Sequence, residues 1–303
     1  MALKITKASD AITVDRLNVV IYGPPGVGKS SLAFTADNPL LLDFDKGSHR
    51  AANRKDAVIV NDWCDVENIT AEDIAGYDTI ILDTAGRALD SLTANIIRAN
   101  PKHGYGGALN QQGWGQLKTR FAAFLRLVNG FGKDVVLIAH MAEEGGGDDV
   151  RERLDMQGSS KNEVYKAADM MGRLVIEGRE RWLRFSPTEA AFGKNPGQLD
   201  ALRVPHNDKP EFAGFLAASI AMTKERLNAL TEAQREASEE QAWFRTTLPG
   251  IEDADGINSI VQRAKDGGKA TTALLVARAK ELGLVADKEA GKYVMPVQED
   301  EAA

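Results

Sequence analysis

Cysteine is nearly missing from this chain: Cys64 stands alone, so no intrachain disulfide can form, and the composition suits a reducing compartment. Set just after the strand-like Ala57–Val60 and Trp63, it reads as a packing residue rather than a nucleophile. Long apolar runs are missing too. No segment approaches the roughly 20 residues of a membrane-spanning helix, and the opening MALKITKASD lacks the apolar stretch of a secretory leader. A soluble, cytoplasmic protein without membrane contact is the expectation. Acidic residues are absent from positions 91–133, which carry Arg98, Lys102, Lys118, Arg120, Arg126 and Lys133. The net charge of −7 argues against nucleic acid, but local fields rather than totals govern such binding. The block reads either as a nucleic-acid-facing surface or as a solvated helix face. With 303 residues, 43% hydrophobic and 27% charged, the chain is not wholly disordered and has room for one α/β domain plus a smaller appendage.

What is present begins with a phosphate-binding signature. Gly23-Pro24-Pro25-Gly26-Val27-Gly28-Lys29-Ser30 fills every fixed position of GxxxxGK[ST], after the apolar run Leu17–Tyr22 and before the short helical run Ser31–Ala36. Glycines let the backbone curl so that successive N–H groups face phosphate oxygens, and the helix N-terminus adds its positive dipole end. Lys29 is expected to hold the β- and γ-phosphates and Ser30 to offer its hydroxyl to Mg²⁺, with Ser31 completing the nucleotide-binding set. A second metal-facing group is supplied by Thr79-Ile80-Ile81-Leu82-Asp83, an apolar strand that delivers Asp83 to the C-terminal edge of a parallel sheet. Asp83 is assigned to Mg²⁺ through water.

Strand-like runs Leu17–Tyr22, Leu40–Phe44, Ala57–Val60, Thr79–Leu82 and Val135–Ala139 alternate with helices or loops, the pattern of an α/β fold with a mainly parallel sheet covered on both faces. Leu174–Glu177 and Trp182–Phe185 flank Gly178-Arg179 and predict an antiparallel hairpin at the sheet edge, with a further strand at Ala201–Val204. Two segments read as mobile loops: Arg98–Gly115, where glycine, asparagine and glutamine surround His103 and Tyr105, and Met141–Gln157, which contains Gly145-Gly146-Gly147. Between them, Trp114, Leu117, Phe121, Leu125 and Val128 form one core-facing helical stripe. From about Ser219 the chain reads as helical, with a capping box at Thr231-Glu232-Ala233-Gln234, stops at Gly267-Gly268 and Gly283, an extended piece Lys292–Val297 and an acidic end Glu299-Asp300-Glu301. The domain boundary is expected near residues 215–222, with the core over 1–218 and a helical C-terminal region over 219–303.

The order of these parts resembles the RecA-like P-loop ATPase core and, more closely, the compact bacteriophage ATPases of that class that act in single-strand annealing and recombination. The resemblance rests on IYGPPGVGKSSLA, LLLDFDKGSHRA, YDTIILDTAGR, VVLIAH and MQGSSKNEVYKAADMMGRL, and covers about residues 15–210. It implies ATP and Mg²⁺ as cofactors, single-stranded DNA, further copies of the chain in a ring or filament and a single-strand-binding protein as partners, and the bacterial host cytoplasm as location. Asp45 takes the place of the acid that polarises the attacking water, where many relatives use Glu; Asp43 is its runner-up. His140, at the end of VVLIAH, takes the place of the γ-phosphate sensor, a hydrogen-bonded cap being the alternative. The loops Arg98–Gly115 and Met141–Gln157 correspond to the two that grip single strands. Arg98, Lys102, His103 and Tyr105 are then the first set of DNA contacts, Arg151, Arg153 and Lys161 the second, although Glu143, Glu144, Asp148, Asp149, Glu152 and Asp155 make the second loop acidic. Gly193-Lys194-Asn195-Pro196-Gly197 resembles the turn that sends a cation into a neighbour's ATP site, with Lys194 as that cation.

The expected activity is ATP-dependent binding of single-stranded DNA by an oligomer that promotes annealing or recombination. An AAA+-type helicase loader or remodelling ATPase shares GPPGVGKS and is the alternative. Asp83-Thr84-Ala85-Gly86 resembles the DxxG element of GTPases, but no NKxD guanine-reading motif accompanies it.

Overall fold

In the computed structural model, which describes residues 3, 5–7, 10, 12–146, 150–287 and 290–296, the apolar runs become the strands of one sheet. In chain order the elements are β1 (Asn18–Gly23), α1 (Lys29–Ala33), β2 (Pro39–Asp43), β3 (Ala57–Ile59), β4 (Thr79–Asp83), α2 (Ala85–Ala99), β5 (Gly104–Tyr105), β6 (Ala108–Leu109), α3 (Gln111–Gly130), β7 (Asp134–Glu144), β8 (Arg151–Leu154) and α4 (Ser160–Ala167). There follow β9 (Met170–Glu177), β10 (Glu180–Arg184), β11 (Leu202–Val204), α5 (Phe215–Thr247), α6 (Ala254–Ser259), α7 (Val261–Asp266), α8 (Lys269–Glu281), β12 (Val285–Asp287) and β13 (Lys292–Val294).

Among the described residues nine strands share the main sheet, in the order β11-β10-β9-β1-β7-β4-β2-β3, with β8 paired to β7. The run from β9 to β3 is parallel, and β10 and β11 close one edge antiparallel. Strands buried on both faces need apolar side chains throughout, which is why β4 and β2 are buried at every position. The hairpin expected at 174–185 is present, but its first strand starts earlier, at Met170, and is itself the last parallel strand beside β1.

Helices cover both faces. On one, α2 buries Ala88, Leu89, Leu92 and Ile96, and α3 buries Leu117, Phe121, Phe124, Leu125 and Val128, against Trp63 and the β4 and β7 side chains. On the other, Leu32, Phe34, Phe212, Leu216 and Ile220 pack on Val19, Ile21, Val136 and Ile138. The start of α5 is seated there by Thr35, whose hydroxyl accepts the Leu216 N–H at 2.9 Å and whose carbonyl accepts that of Ala217 at 3.1 Å.

The chain divides into two compact units, Val14–Leu227 and the remainder, Met1–Thr13 with Asn228–Ala303. The division falls inside continuous α5, some residues past the boundary expected from sequence, and the residues before Val14 group with the C-terminal unit. That unit has its own apolar cluster, built on Phe244, Leu248, Ile257, Ala264, Leu275, Ala279 and Leu284.

Several local expectations are overturned. The first supposed loop is built structure: α2 runs to Ala99, a short 3-10 turn over Pro101–His103 follows, β5 and β6 pair, and Asn110 caps α3 by accepting the Gly113 N–H at 3.0 Å. The second is a β-hairpin in which Met141 opposes Leu154 and Glu144 opposes Arg151; residues 147–149 lie outside the described residues. Trp114 is 38% exposed and lies against Gly158 rather than in the core. Cys64 is exposed because Asp62 accepts its N–H at 3.0 Å and starts a tight 3-10 turn, which sends Trp63 inward instead. Thr231 starts no helix: its hydroxyl donates to the Asn228 and Ile12 carbonyls within uninterrupted α5. The stops at Gly267-Gly268 and Gly283 hold, and the acidic end 299–301 and Val297 lie outside the described residues.

Phe121 of α3 is fully buried in the larger core cluster. Phe121→Ala should destabilise the chain by about 3–5 kcal/mol, read as a shift in the urea unfolding midpoint of the core.

Candidate nucleotide site

The site is assembled where parallel strands end. β1 runs out at Gly23, where an added Cβ would lie 2.3 Å from the Leu174 carbonyl oxygen of β9, so only glycine permits that approach. The chain then turns through Gly26 and Gly28, with φ of 76° and 95°, conformations that disfavour any side chain. This wraps the loop and brings Lys29 to the first position of α1.

Lys29 is only 5% exposed, and its ammonium donates to the carbonyls of Gly23 at 3.0 Å and Pro24 at 2.8 Å. Burial lowers its pKa to about 8, against the raising effect of Asp83 and Asp45. The lysine is thus curled over its own loop, and no carboxylate lies within salt-bridge distance of it among the described residues. A cation held only by neutral carbonyls in a glycine-wrapped loop is a fit receptor for phosphate oxygens. Val27 is buried in the core, and the Ser31 hydroxyl accepts the Ala52 N–H at 2.9 Å, so both anchor the loop as well as lining the cleft beside Pro25, Gly26 and Gly28.

β7 stands between β1 and β4, yet Ser30 and Asp83 meet across it: the Ser30 hydroxyl donates to Asp83 Oδ2 at 2.5 Å. Asp83 is 3% exposed, and burial lifts its pKa to about 6 while the Ser30 bond pulls it back. Among the described residues no group of three or more His, Cys, Asp or Glu could hold a metal by itself. One hydroxyl and one carboxylate match Mg²⁺, which takes few protein ligands and completes its shell with water and substrate phosphates.

Asp43 and Asp45 part company. Asp43 is fully buried and accepts the N–H groups of Gly47 at 3.1 Å and Ser48 at 2.9 Å, which makes it a structural cap. Asp45 lines the cleft, with Arg50 at 3.3 Å and Arg87 at 3.5 Å flanking its carboxylate. His140 lies opposite, in register with Gly23, its Nδ1 3.3 Å from the Lys29 ammonium. Burial first, and the Lys29 charge second, lower its pKa, so its imidazole is neutral at neutral pH.

A phosphate loop, an acid-ended strand two places away, a cleft-facing carboxylate and a polar strand end now surround one cleft of ≈690 Å³. Residues 15–196 match the AAA domain family. The chain belongs to that family. Two solved structures are similar to this AAA-domain chain: a KaiC-like protein from the hyperthermophilic archaeon Pyrococcus horikoshii OT3, at 9% identity and TM-score 0.33 over 56% of this chain and 78% of that one, and the flagellar accessory protein FlaH from Methanocaldococcus jannaschii, at 12% and 0.31 over 55% and 75%. No curated protein matches it. Among the described residues no helix is long and apolar enough to cross a membrane.

The AAA-domain cleft also contains residues that no motif announced. Arg181 of β10 reaches over the loop, so that a Cβ on Gly28 would lie 2.7 Å from its Nη1. Its other nitrogen donates to the Pro205 carbonyl at 2.6 Å and Asn207 Oδ1 at 2.7 Å, and Arg179, His206 and Asn207 line the same wall. Nothing local marks Arg181. It is far from the loop in sequence, and only the pairing of β9 with β1 brings it there.

Lys194 is not part of this cleft. Its ammonium donates to the Ala168 carbonyl at 2.6 Å and its backbone pairs with Met171, so action on a neighbour's nucleotide requires release from that bond. Half of the basic block is paired with carboxylates. Arg98 pairs with Asp62 at 2.6 Å, and that guanidinium holds the Asp62 carboxyl well below the usual range. Arg120 pairs with Glu67 at 2.5 Å, Lys118 with Glu163 at 3.7 Å, and Lys133 donates to the Tyr77 carbonyl. His103 is part of the turn, its carbonyl accepting the Asn110 N–H at 2.9 Å. Lys102 is exposed and Tyr105 is 89% exposed on the β5–β6 hairpin. On the other hairpin Lys161 pairs with Glu144 at 2.7 Å and Arg153 stacks over Phe192 at 4.4 Å, whereas Arg151 is exposed.

The two shifted groups predict a pH profile for binding of the triphosphate without metal. Asp83, raised to about 6, gains charge and repels phosphate as pH climbs through that value; Lys29, lowered to about 8, loses its attractive charge above it. Affinity measured by calorimetry should therefore fall in two steps with rising pH, and Asp83→Asn should remove the lower step and move the upper one to lower pH, because Asp83 no longer supports the Lys29 charge.

Proposed function

We propose that this chain is an ATP-dependent single-stranded-DNA-binding protein that assembles with copies of itself and promotes annealing or recombination, with ATP hydrolysis as the release step. The observation that carries the reading is the position of His140: its ring lies 3.3 Å from Lys29, and its strand continues directly into the β7–β8 hairpin. A group that senses the occupant of the phosphate loop is thereby continuous with a projecting element. The segment after β8 extends the connection: the Asp155 N–H donates to the His140 carbonyl at 2.9 Å, and Gly158 lies against Trp114 at the start of α3, next to the turn that carries Lys102 and Tyr105.

In the hydrolytic step the loop amides and Lys29 neutralise the phosphates. Asp45 accepts a proton from the water that attacks the γ-phosphorus, while the bond to the β–γ bridging oxygen breaks and ADP leaves. Bound Mg²⁺, held by Ser30 and Asp83, would add charge neutralisation at the phosphates. Arg50 and Arg87 orient the Asp45 carboxylate. For DNA, pairing within the basic block narrows the predicted contacts to Tyr105, Lys102 and Arg151, an aromatic platform and two cations without an acidic partner among the described residues, suited to sequence-tolerant stacking and phosphate binding. Lys194 is a candidate cation toward a neighbouring subunit. A second reading, an AAA-type helicase loader or remodelling ATPase, is favoured by the family match, and stimulation of ATP turnover by a partner protein instead of DNA would support it.

Steady-state ATP turnover with and without homopolymeric single strands tests the reading. Asp45→Ala should cut turnover by about 10²-fold or more while nucleotide binding persists. Tyr105→Ala should weaken single-strand binding by about 1–3 kcal/mol at unchanged basal turnover. His140→Ala should abolish stimulation by DNA; intact stimulation would leave His140 as a hydrogen-bonded cap, and absent stimulation in the parent protein would refute the proposal.

A further inference from the structure

The C-terminal unit carries a second, separate arrangement. α7 and α8 are joined by Gly267-Gly268, and the antiparallel pair β12–β13 follows directly. The turn is tight because of its residues. A Cβ on Gly267 would lie 2.8 Å from Thr271 Oγ1, and Gly268 has φ of 90°. Thr271 and Thr272 both donate to the Ala264 carbonyl, at 2.7 and 3.0 Å, locking the start of α8 onto the end of α7. α8 then buries Thr271, Leu275 and Ala279 in the unit's own core.

Its opposite face is the informative one. Lys269, Thr272, Ala273, Val276 and Lys280 recur at helical spacing and, with Lys265 of α7, line one groove that no acidic side chain enters. Lys269 and Lys280 are about 16 Å apart along the axis at 1.5 Å per residue, and the side chains between them are small. The charged groups around the groove divide cleanly. Arg263 is held by Glu240 at 2.6 Å and stacks on Trp243 at 3.5 Å, while Arg278 is held by Glu281 at 2.9 Å and by the Ile251 carbonyl. Asp266 accepts from Gln262 at 2.8 Å. The arginines and acids are thus engaged in the unit itself, and Lys265, Lys269 and Lys280 have no side-chain partner among the described residues.

From this geometry we infer that residues 261–281 form a helix–turn–helix module that binds double-stranded nucleic acid, with α8 in the major groove. Two helices joined by a glycine turn, the second outward-facing, is the arrangement that inserts a helix into that groove, which is about 12 Å wide. Lysines at both ends of the exposed face match the phosphates that border it, and the small central side chains permit close approach to base edges. A protein partner would be met by large apolar side chains, and Val276 is the one branched hydrophobic among the groove residues. The inference does not rest on the single-strand reading, because it uses a different unit and different cations.

Fluorescence anisotropy of a labelled DNA duplex titrated with the full chain tests it. The double variants Lys269→Glu/Lys280→Glu and Lys269→Gln/Lys280→Gln should both lower duplex affinity, the first by at least about tenfold at low salt, and reduce the salt slope by about 2. ATP turnover without DNA reports on the fold of the core, and far-UV circular dichroism on that of the helical unit; both should be unchanged. Tyr105→Ala should leave duplex binding intact. Absence of duplex binding by the parent chain, or unaltered duplex affinity in both double variants, overturns the inference, including the case in which the α8 face proves to bind a protein.

Discussion

The hydrogen bond from Ser30 to Asp83 joins two strands that are not neighbours, and the architecture of the core follows from making it possible. β1 and β4 must end at the same level with β7 between them, which requires parallel strands in register, buried on both faces. Such strands tolerate only apolar side chains along their length and release polar ones at their ends. Asp83 and Asp43 sit at such ends and His140 at the last position of β7 paired with β1; for Asp83 and His140, a carboxyl lifted to about 6 and an imidazole kept neutral are consequences of burial there.

The insertion of β7 has a functional corollary. A strand placed between the phosphate loop and the metal-facing acid touches both, and this one does not stop at the sheet edge. It continues past His140 into the β7–β8 hairpin, which the part-buried pair of Arg173 with Glu152 ties to β9. Rigid attachment on one side and projection on the other is what an element needs if the occupant of a cleft is to be felt at a distance.

Charge in this protein is distributed by tertiary pairing. The basic run at 91–133 is conspicuous along the chain, but Asp62, Glu67 and Glu163 come from other elements to meet it, leaving Lys102 and Arg126 unpaired among the described residues. In the C-terminal unit the division is between residue types, with Arg235, Arg263 and Arg278 committed to internal carboxylates and carbonyls and Lys265, Lys269 and Lys280 facing out. Arginine's planar fork makes it the better internal tie, and lysine's flexible point charge the better outward contact.

By itself, the sequence determined what depends on near neighbours. Gly26, Gly28, Lys29 and Ser30 are close enough that spacing alone fixes the loop, and the apolar runs that became β1, β2, β4 and β7 are dictated by burial on both faces. The edge hairpin and the stops at Gly267 and Gly283 were legible for the same reason: turn chemistry is local. Tertiary structure decided what depends on partners distant in the chain. It made Asp43 a cap and left Asp45 in the cleft, brought Arg181 over Gly28, tied Lys194 to Ala168, and built two hairpins where glycines suggested slack. Those outcomes turn on which strand lies beside which, and pairing across a sheet is set by the burial of the whole core, information that no single segment carries.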